Sequence, residues 1–239
     1  MRIHKKKYLP YLGSKDDVLV LKDIHKTYDL GKTKVKALNG ISLTVQRGDL
    51  ISIMGPSGSG KTTLLNLIGA LDTPTRGSIY INGKDMMAMN DAALTRLRRH
   101  EIGFIFQFYN LIPVLTCYEN VELPLIAAGV DKNTREHRVL EILSKVGLEN
   151  RLDHKPEELS GGQQQRAAIA RALVNRPSFV LADELTGDLD TKTGEKIMEY
   201  LVSLNLSENQ TFIIITHDID VARKASKIYH IKDGRFVNS

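Results

Sequence analysis

The chain has 239 residues, 42% of them hydrophobic and 26% charged, which is enough to bury a substantial core and too apolar for a disordered polypeptide. Its net charge of +5 is mild and spread over both signs, so it excludes a purely electrostatic case for nucleic acid. The single cysteine, Cys117, excludes an intrachain disulfide and any cysteine-ligated metal cluster. No apolar run approaches the roughly 20 residues of a bilayer span, and the N-terminus lacks the apolar stretch of a signal peptide, so a cytoplasmic protein is expected.

Residues 1–17 form a basic segment around His4-Lys5-Lys6-Lys7, with Pro10 and Gly13 in it. It reads as a frayed, solvated extension, with contact to anionic lipid as the alternative. Val18 to Leu21 and Ala37 to Val45 alternate apolar and polar residues and are joined by the polar turn Gly31-Lys32-Thr33, which predicts an antiparallel sheet. Tyr28 is placed in the loop after the first strand, where a tyrosine alone is more often a half-buried packing residue than a ligand contact.

Leu50-Ile51-Ser52-Ile53-Met54 then predicts a buried parallel strand. It runs into Gly55-Pro56-Ser57-Gly58-Ser59-Gly60-Lys61-Thr62-Thr63, an ungapped match to the phosphate-binding loop pattern, with a helix expected from Thr62 to Gly69. Strand, glycine turn and helix N-terminus in this order turn successive N–H groups into one concavity that favours negative charge. A nucleoside triphosphate is the expected ligand, with Lys61 reaching its β- and γ-phosphates and Thr62 binding Mg²⁺. A chance match in a chain of this length and glycine content is expected about 1% of the time.

Further on, Ser78 to Ile81 predicts a strand, Asn82-Gly83 a tight turn, Asp91 to Arg99 a helix and Ile102 to Phe106 a strand ending at Gln107. Residues 108–159 change texture to helical segments such as Thr134 to Val146, an insertion in an α/β core. Leu159-Ser160-Gly161-Gly162-Gln163 opens a helix to Leu173, with Ser160 and Gln163 at capping-box spacing. Its exposed N–H groups suit a second anion, although a merely well-capped helix has the same pattern. Ser178 to Ala182 is an apolar strand ending in Asp183 and Glu184; beside a phosphate loop the first suits Mg²⁺ and the second a base for water. A surface turn is the plainer alternative for the pair. Gly187 to Asp190 is a loop and Thr193 to Leu204 an amphipathic helix. Thr211 to Thr216 is a core strand ending at His217, placed where ligands meet parallel sheets. Ile228 to Ile231 and Arg235 to Val237 close the chain as a hairpin.

The phosphate loop, Gln107, Leu159 to Gln163, Asp183-Glu184 and His217 follow one another in the order that resembles the ATP-binding subunit of ABC transporters, from Val18 onward. The resemblance implies an α/β fold: a P-loop NTPase core with a mainly parallel sheet, an N-terminal antiparallel β subdomain and an inserted helical subdomain at about 108–165. It implies that Tyr28 stacks on adenine, that Gln107 and Asp183 join Thr62 at Mg²⁺, that Glu184 is the general base with His217 at the γ-phosphate, and that Asp190 lies in a loop crossing a dimer interface. It also implies ATP as ligand, a second ATP-binding subunit whose Ser160, Gly161, Gly162 and Gln163 complete the site, and a separate membrane permease reached through Gln107 to Leu125. That places the subunit at the cytoplasmic face of the membrane. The tract Gln107 to Pro113, with Thr116, Glu119-Asn120-Val121 and Leu123-Pro124-Leu125, is most similar to the subgroup serving macrolide exporters, lipoprotein-release complexes and the cell-division pair. A soluble ATPase of the same family acting on nucleic acid or ribosomes is the rival reading; a small-molecule kinase leaves Leu159 to Gln163 and His217 unexplained.

Two positions depart from the family pattern. Leu185 stands where proline is usual, removing a φ restraint just after Glu184. Asp188 stands where asparagine or alanine is usual and adds negative charge near an interface of phosphates and acids. A looser Glu184 and a weaker ATP-bound dimer are the expectations.

Overall fold

The computed structural model describes residues 13–31 and 33–237; most of the expected N-terminal extension lies outside them. Two sheets and a group of helices are built from alternating stretches of local pattern. Strands β1 (Asp17–Asp29) and β2 (Lys34–Gln46) form a long antiparallel ribbon. To it β4 (Arg76–Ile81) and β5 (Lys84–Asp85) add in the order β2-β1-β4-β5. The turn between β4 and β5 is Asn82-Gly83, both with positive φ, as a two-residue hairpin that follows the strand twist requires.

Tyr28 is within β1, paired with Val35, and is not in a loop as expected. Polar Lys22 to Lys26 hides the strand in the sequence, because register shifts on either side of Ile24 break the simple alternation while the backbone pairing continues.

The second sheet has the order β10-β9-β3-β8-β7-β6, from β3 (Leu50–Met54), β6 (Ile102–Ile105), β7 (Phe179–Asp183), β8 (Phe212–Thr216), β9 (Lys227–Lys232) and β10 (Arg235–Val237). Only the final β9–β10 hairpin is antiparallel. β3 and β8 are buried along their whole length, which is why both are continuous apolar runs.

Helix α1 (Lys61–Ile68) lies between the two sheets, with Leu64, Leu67 and Ile68 in the larger core beside Ile24, Ile41, Ile53 and Ile215. A second core, on the other face of the parallel sheet, joins Ile169 and Leu173 of α5 (Gly161–Leu173) to Met198 and Leu201 of α6 (Thr191–Glu208). A third sits among α3 (Cys117–Ala127), α4 (Lys132–Lys145) and α5, through Val121, Leu125, Leu143, Ala167 and Ala170. α5 therefore has one face on the sheet and one on the helices that precede it.

α2 (Asp91–Glu101) is capped by Asn90. α6 runs beyond the expected Thr193 to Leu204 at both ends, because Asp190 caps it from outside and Asn209, in the left-handed region, stops it. The short α7 (Ile219–Arg223), held by Asp218 as N-cap, was not foreseen. Among the described residues no helix is long and apolar enough to cross a membrane.

Candidate functional site

The phosphate loop bridges β3 and α1, and its curl is set by close approach. A Cβ at Gly60, where φ is 107°, would stand 2.6 Å from the Ala37 carbonyl, and one at Gly55 would stand 2.2 Å from the Ile231 carbonyl. Only glycine fits either place. Lys61 Nζ donates to the carbonyls of Gly55 (2.7 Å) and Pro56 (3.0 Å), so its ammonium stays over the loop. Ser59 is buried, and its N–H donates to the Pro56 carbonyl.

A cleft of about 620 Å³ opens at the C-terminal ends of the parallel strands and brings together Tyr28, Ser57, Gly58, Gly60, Lys61, Thr62, Thr63, Gln107, Asp183, Glu184 and His217. They come from β1, the end of β7 and the segments after β3, β6 and β8, as at ligand sites in open parallel sheets. Val35, Lys36 and Ala37 of β2 complete its wall. Sequence reasoning missed them, since only the pairing of Tyr28 with Val35 across the ribbon brings them to the loop.

Tyr28 is fixed from behind: its hydroxyl donates to Asp72 Oδ2 at 3.0 Å, and Lys26 Nζ lies 4.9 Å from its ring centroid while bonding Asp72 Oδ1 at 2.6 Å. Burial pushes the Asp72 carboxyl upward, but hydrogen bonds from Lys26, Thr73 and Tyr28 outweigh it and hold it below the usual range.

β7 ends at Asp183, and Glu184 follows it in a bend. Burial lifts Asp183 above the ordinary carboxylate range, the neighbouring Glu184 charge adds to the lift, and Lys61 opposes both. Glu184 has φ 48° and is held at several points. Its N–H donates to the Ile215 carbonyl at 2.9 Å, and its Oε2 lies 2.8 Å from His217 Nδ1. The Thr216 hydroxyl and His217 N–H both point to the same oxygen at 3.4 Å. Leu185 is 2% exposed and packs in the second core, so the segment after Glu184 is anchored by burial in place of a proline ring.

Thr62, Asp183 and Gln107 offer a hydroxyl, a carboxylate and an amide oxygen on one cleft, a hard donor set that suits Mg²⁺. No group of three histidine, cysteine or acidic residues able to hold a metal occurs among the described residues. The remaining ligands of such a cation would be waters and oxygens of a bound phosphate.

Gln107 lies in a turn two residues past β6, which stops at Ile105 and not at Phe106 as expected, and after Phe108 come two consecutive left-handed residues, Tyr109 (φ 57°) and Asn110 (φ 50°). The guanidinium of Arg171, from α5, donates to both carbonyls, at 2.7 and 2.5 Å. The buried Asn120 of α3 ties down the next stretch, accepting from Ile112 N–H and donating to Ile112, Leu115 and Thr116 carbonyls.

Ser160 and Gln163 form the capping box at the start of α5, with Ser160 Oγ accepting from Gln163 N–H at 3.3 Å and Gln163 Oε1 accepting from Ser160 N–H at 2.9 Å. Ser160, Gly161, Gly162 and Gln163 line a different cleft, of about 730 Å³, with Asp188, Leu189, Asp190 and Thr193. A Cβ on Gly162 would come within 2.7 Å of the Thr193 methyl. This second cleft shares no residue with the phosphate-loop cleft.

Known proteins are similar to this chain in sequence and in fold. The family model described as ABC transporter matches residues 38–187. An uncharacterized ABC transporter ATP-binding protein of Thermotoga maritima is 51% identical, covering 91% of this chain and 93% of its own. The macrolide export ATP-binding/permease protein MacB of Shewanella sp. is 45% identical over 92% of this chain, which spans only 34% of that longer protein. Among solved structures, the ATP-binding cassette MJ0796 of Methanocaldococcus jannaschii, a dimer in a post-hydrolysis state bound to ADP and Pi, has a TM-score of 0.84 at 49% identity, covering 92% of this chain and 97% of its own.

Proposed function

The chain belongs to the ABC transporter ATP-binding family, and from that premise we propose that it binds and hydrolyses ATP as a head-to-tail homodimer that powers a separate membrane permease. The observation that carries this reading is the separation of the two clefts. One compact chain has a phosphate loop with its acids on one cleft and a capped, glycine-flanked helix start on another. A second copy, turned about, would lay its Ser160 to Gln163 against the γ-phosphate held by Lys61. The MJ0796 cassette, described as dimeric with ADP and Pi, supports this assembly.

In the proposed cycle the loop N–H groups and Lys61 bind the phosphates, and Tyr28 stacks on the base with the ring face opposite Lys26. Mg²⁺, held by Thr62, Asp183 and Gln107, would neutralise phosphate charge and so favour the ionised form of Asp183. Glu184 accepts the proton of the attacking water, and His217 holds Glu184 Oε2 and reaches the γ-phosphate. Hydrolysis removes the group that both chains share, which releases the closed dimer.

The membrane partner is supported by a second feature. A groove of about 480 Å³ is lined by Phe104, Phe106, Pro124, Ala127, Arg98 and Arg171, and Phe108, 72% exposed, projects from the same loop. Phe106 and Asn110, on either side of Gln107 in the chain, line it, so a permease segment seated there would sense the loop. The ATP-binding/permease protein MacB, of which this chain matches about a third, supports a permease of that type and an exporting or force-transmitting role at the cytoplasmic membrane face. No nucleic-acid partner is expected. Isolation of the native chain with a polytopic membrane protein is the expected outcome, and isolation with ribosomes or nucleic acid would overturn it. For the chemistry, Glu184→Gln should keep ATP binding, lower kcat by about 10²–10⁴-fold and accumulate a closed dimer. Full residual hydrolysis would remove Glu184 as the base.

A further inference from the structure

Gln165 lies two residues beyond the capping box, on the face of α5 turned to the sheet, and is 0% exposed. Its Nε2 donates to the Leu185 carbonyl at 2.7 Å, a bond buried on both sides. Its Oε1 has no partner among the described residues. A buried amide that uses one end and leaves the other unpaired is a poor device for stability, because the orphaned oxygen costs desolvation that an apolar chain of equal size would not. What the bond does is fix a carbonyl. Leu185 directly follows Glu184, and its φ is not locked by a proline ring, so this residue is restrained by the donor on its carbonyl and by burial of its side chain.

The same helix therefore has three attachments. Its N-terminus lines the second cleft, its first turns hold the carbonyl after Glu184, and Arg171 near its C-terminus holds the carbonyls just after Gln107. These attachments lie along one continuous thirteen-residue helix that is buried on two faces.

We propose that Gln165 is a positioning residue for hydrolysis: through its bond to the Leu185 carbonyl it sets the orientation of Glu184 and makes that orientation follow the position of α5. In the dimer, the contact of α5 with the nucleotide of one site then adjusts the base of the other site within the same chain. The proposal rests on the reading of Glu184 as base, and the test separates the two.

Gln165→Met, of similar volume and without a donor, is compared with wild type and Glu184→Gln; Gln165→Leu is run beside it so that a misfit of the methionine chain is not taken for a lost hydrogen bond. Steady-state ATPase assays give kcat and KM, titration with a fluorescent ATP analogue gives binding, and calorimetry gives the melting temperature. The expected result for both variants is a kcat lowered about tenfold with unchanged KM, unchanged nucleotide binding and a melting temperature within a few degrees of wild type, since the orphaned Gln165 oxygen is removed while the Leu185 carbonyl loses its donor. Wild-type kcat in either folded variant overturns the proposal. So does a loss of kcat that comes with failure to fold or a melting temperature lowered by more than about ten degrees, since Gln165 is then a packing residue. Full activity of Glu184→Gln instead overturns the assignment of the base, whatever the Gln165 variants do.

Discussion

Replacing Arg171 tests whether the loop after Gln107 is held or merely rests in place. Its guanidinium makes two charge-assisted hydrogen bonds to the Tyr109 and Asn110 carbonyls, worth about 1.5–3 kcal/mol each, or roughly 3–6 kcal/mol together. Against them stands the cost of two adjacent left-handed residues at φ 57° and 50°, about 1–2 kcal/mol each and at the lower end for asparagine. The clamp and the strain are of similar size, with the clamp ahead by about 1–2 kcal/mol at the midpoints, so without it the backbone relaxes. Arg171→Met keeps the stem that packs along the groove and removes both donors. Gln107 then loses its fixed approach to the cleft, and kcat should fall about tenfold or more, near 1.4 kcal/mol of transition-state stabilisation, while ATP binding through Lys61 persists. Hydrogen exchange should show faster labelling of the amides at 106–112 with the sheet unaffected. An unchanged kcat together with unchanged protection of those amides would refute the reasoning.

Two further substitutions address the charges around the site. The Asp183 carboxyl is raised in the folded state, so the native chain holds its proton longer than the unfolded one, and stability is lost as pH rises from the unfolded value near 3.9 to the raised folded one. Asp183→Asn removes that loss: the melting temperature at pH 7 should rise by a few degrees while Mg²⁺-dependent hydrolysis collapses. Calorimetry at pH 5 and pH 7 checks it, and an unchanged or lower melting temperature at pH 7 contradicts it. Asp188 is exposed in the cleft beside Ser160 to Gln163, and its charge raises the Tyr109 phenol further after burial has done so. Asp188→Asn should tighten the ATP-bound dimer several-fold, about 3–10-fold for two symmetric exposed charges, as read by sedimentation; an unchanged dimer constant rejects the idea.

Features that local chain chemistry decides are readable without coordinates. The phosphate loop, the Asn82-Gly83 turn and the Ser160–Gln163 capping box need only neighbours within a few residues, and each occurs at its expected place. The continuous apolar runs of β3 and β8 are legible for the same reason, since both faces of each are buried. Tyr28 reads as a loop residue because a bulged strand loses its alternation, and at this end only pairing with β2 keeps it a strand. The partners of Arg171, Asn120 and Gln165 were equally hidden, since each bonds a backbone carbonyl, which every residue type carries. Leu185 shows the limit most clearly: the missing proline predicted a looser Glu184, whereas burial of the leucine, the Ile215 carbonyl and His217 all hold that segment.

The central claim, that each ATP site is shared between two chains, is tested most directly by mixing two variants that fail for different reasons. Lys61→Ala has a broken phosphate loop and an intact Ser160 helix start, and Ser160→Arg has the reverse. Each alone should hydrolyse ATP at background rate, whereas mixed dimers contain one complete site, so activity should appear on mixing and grow with total concentration as a dimer forms. A Ser160→Arg chain that hydrolyses ATP at the wild-type rate when dilute and monomeric would contradict the account.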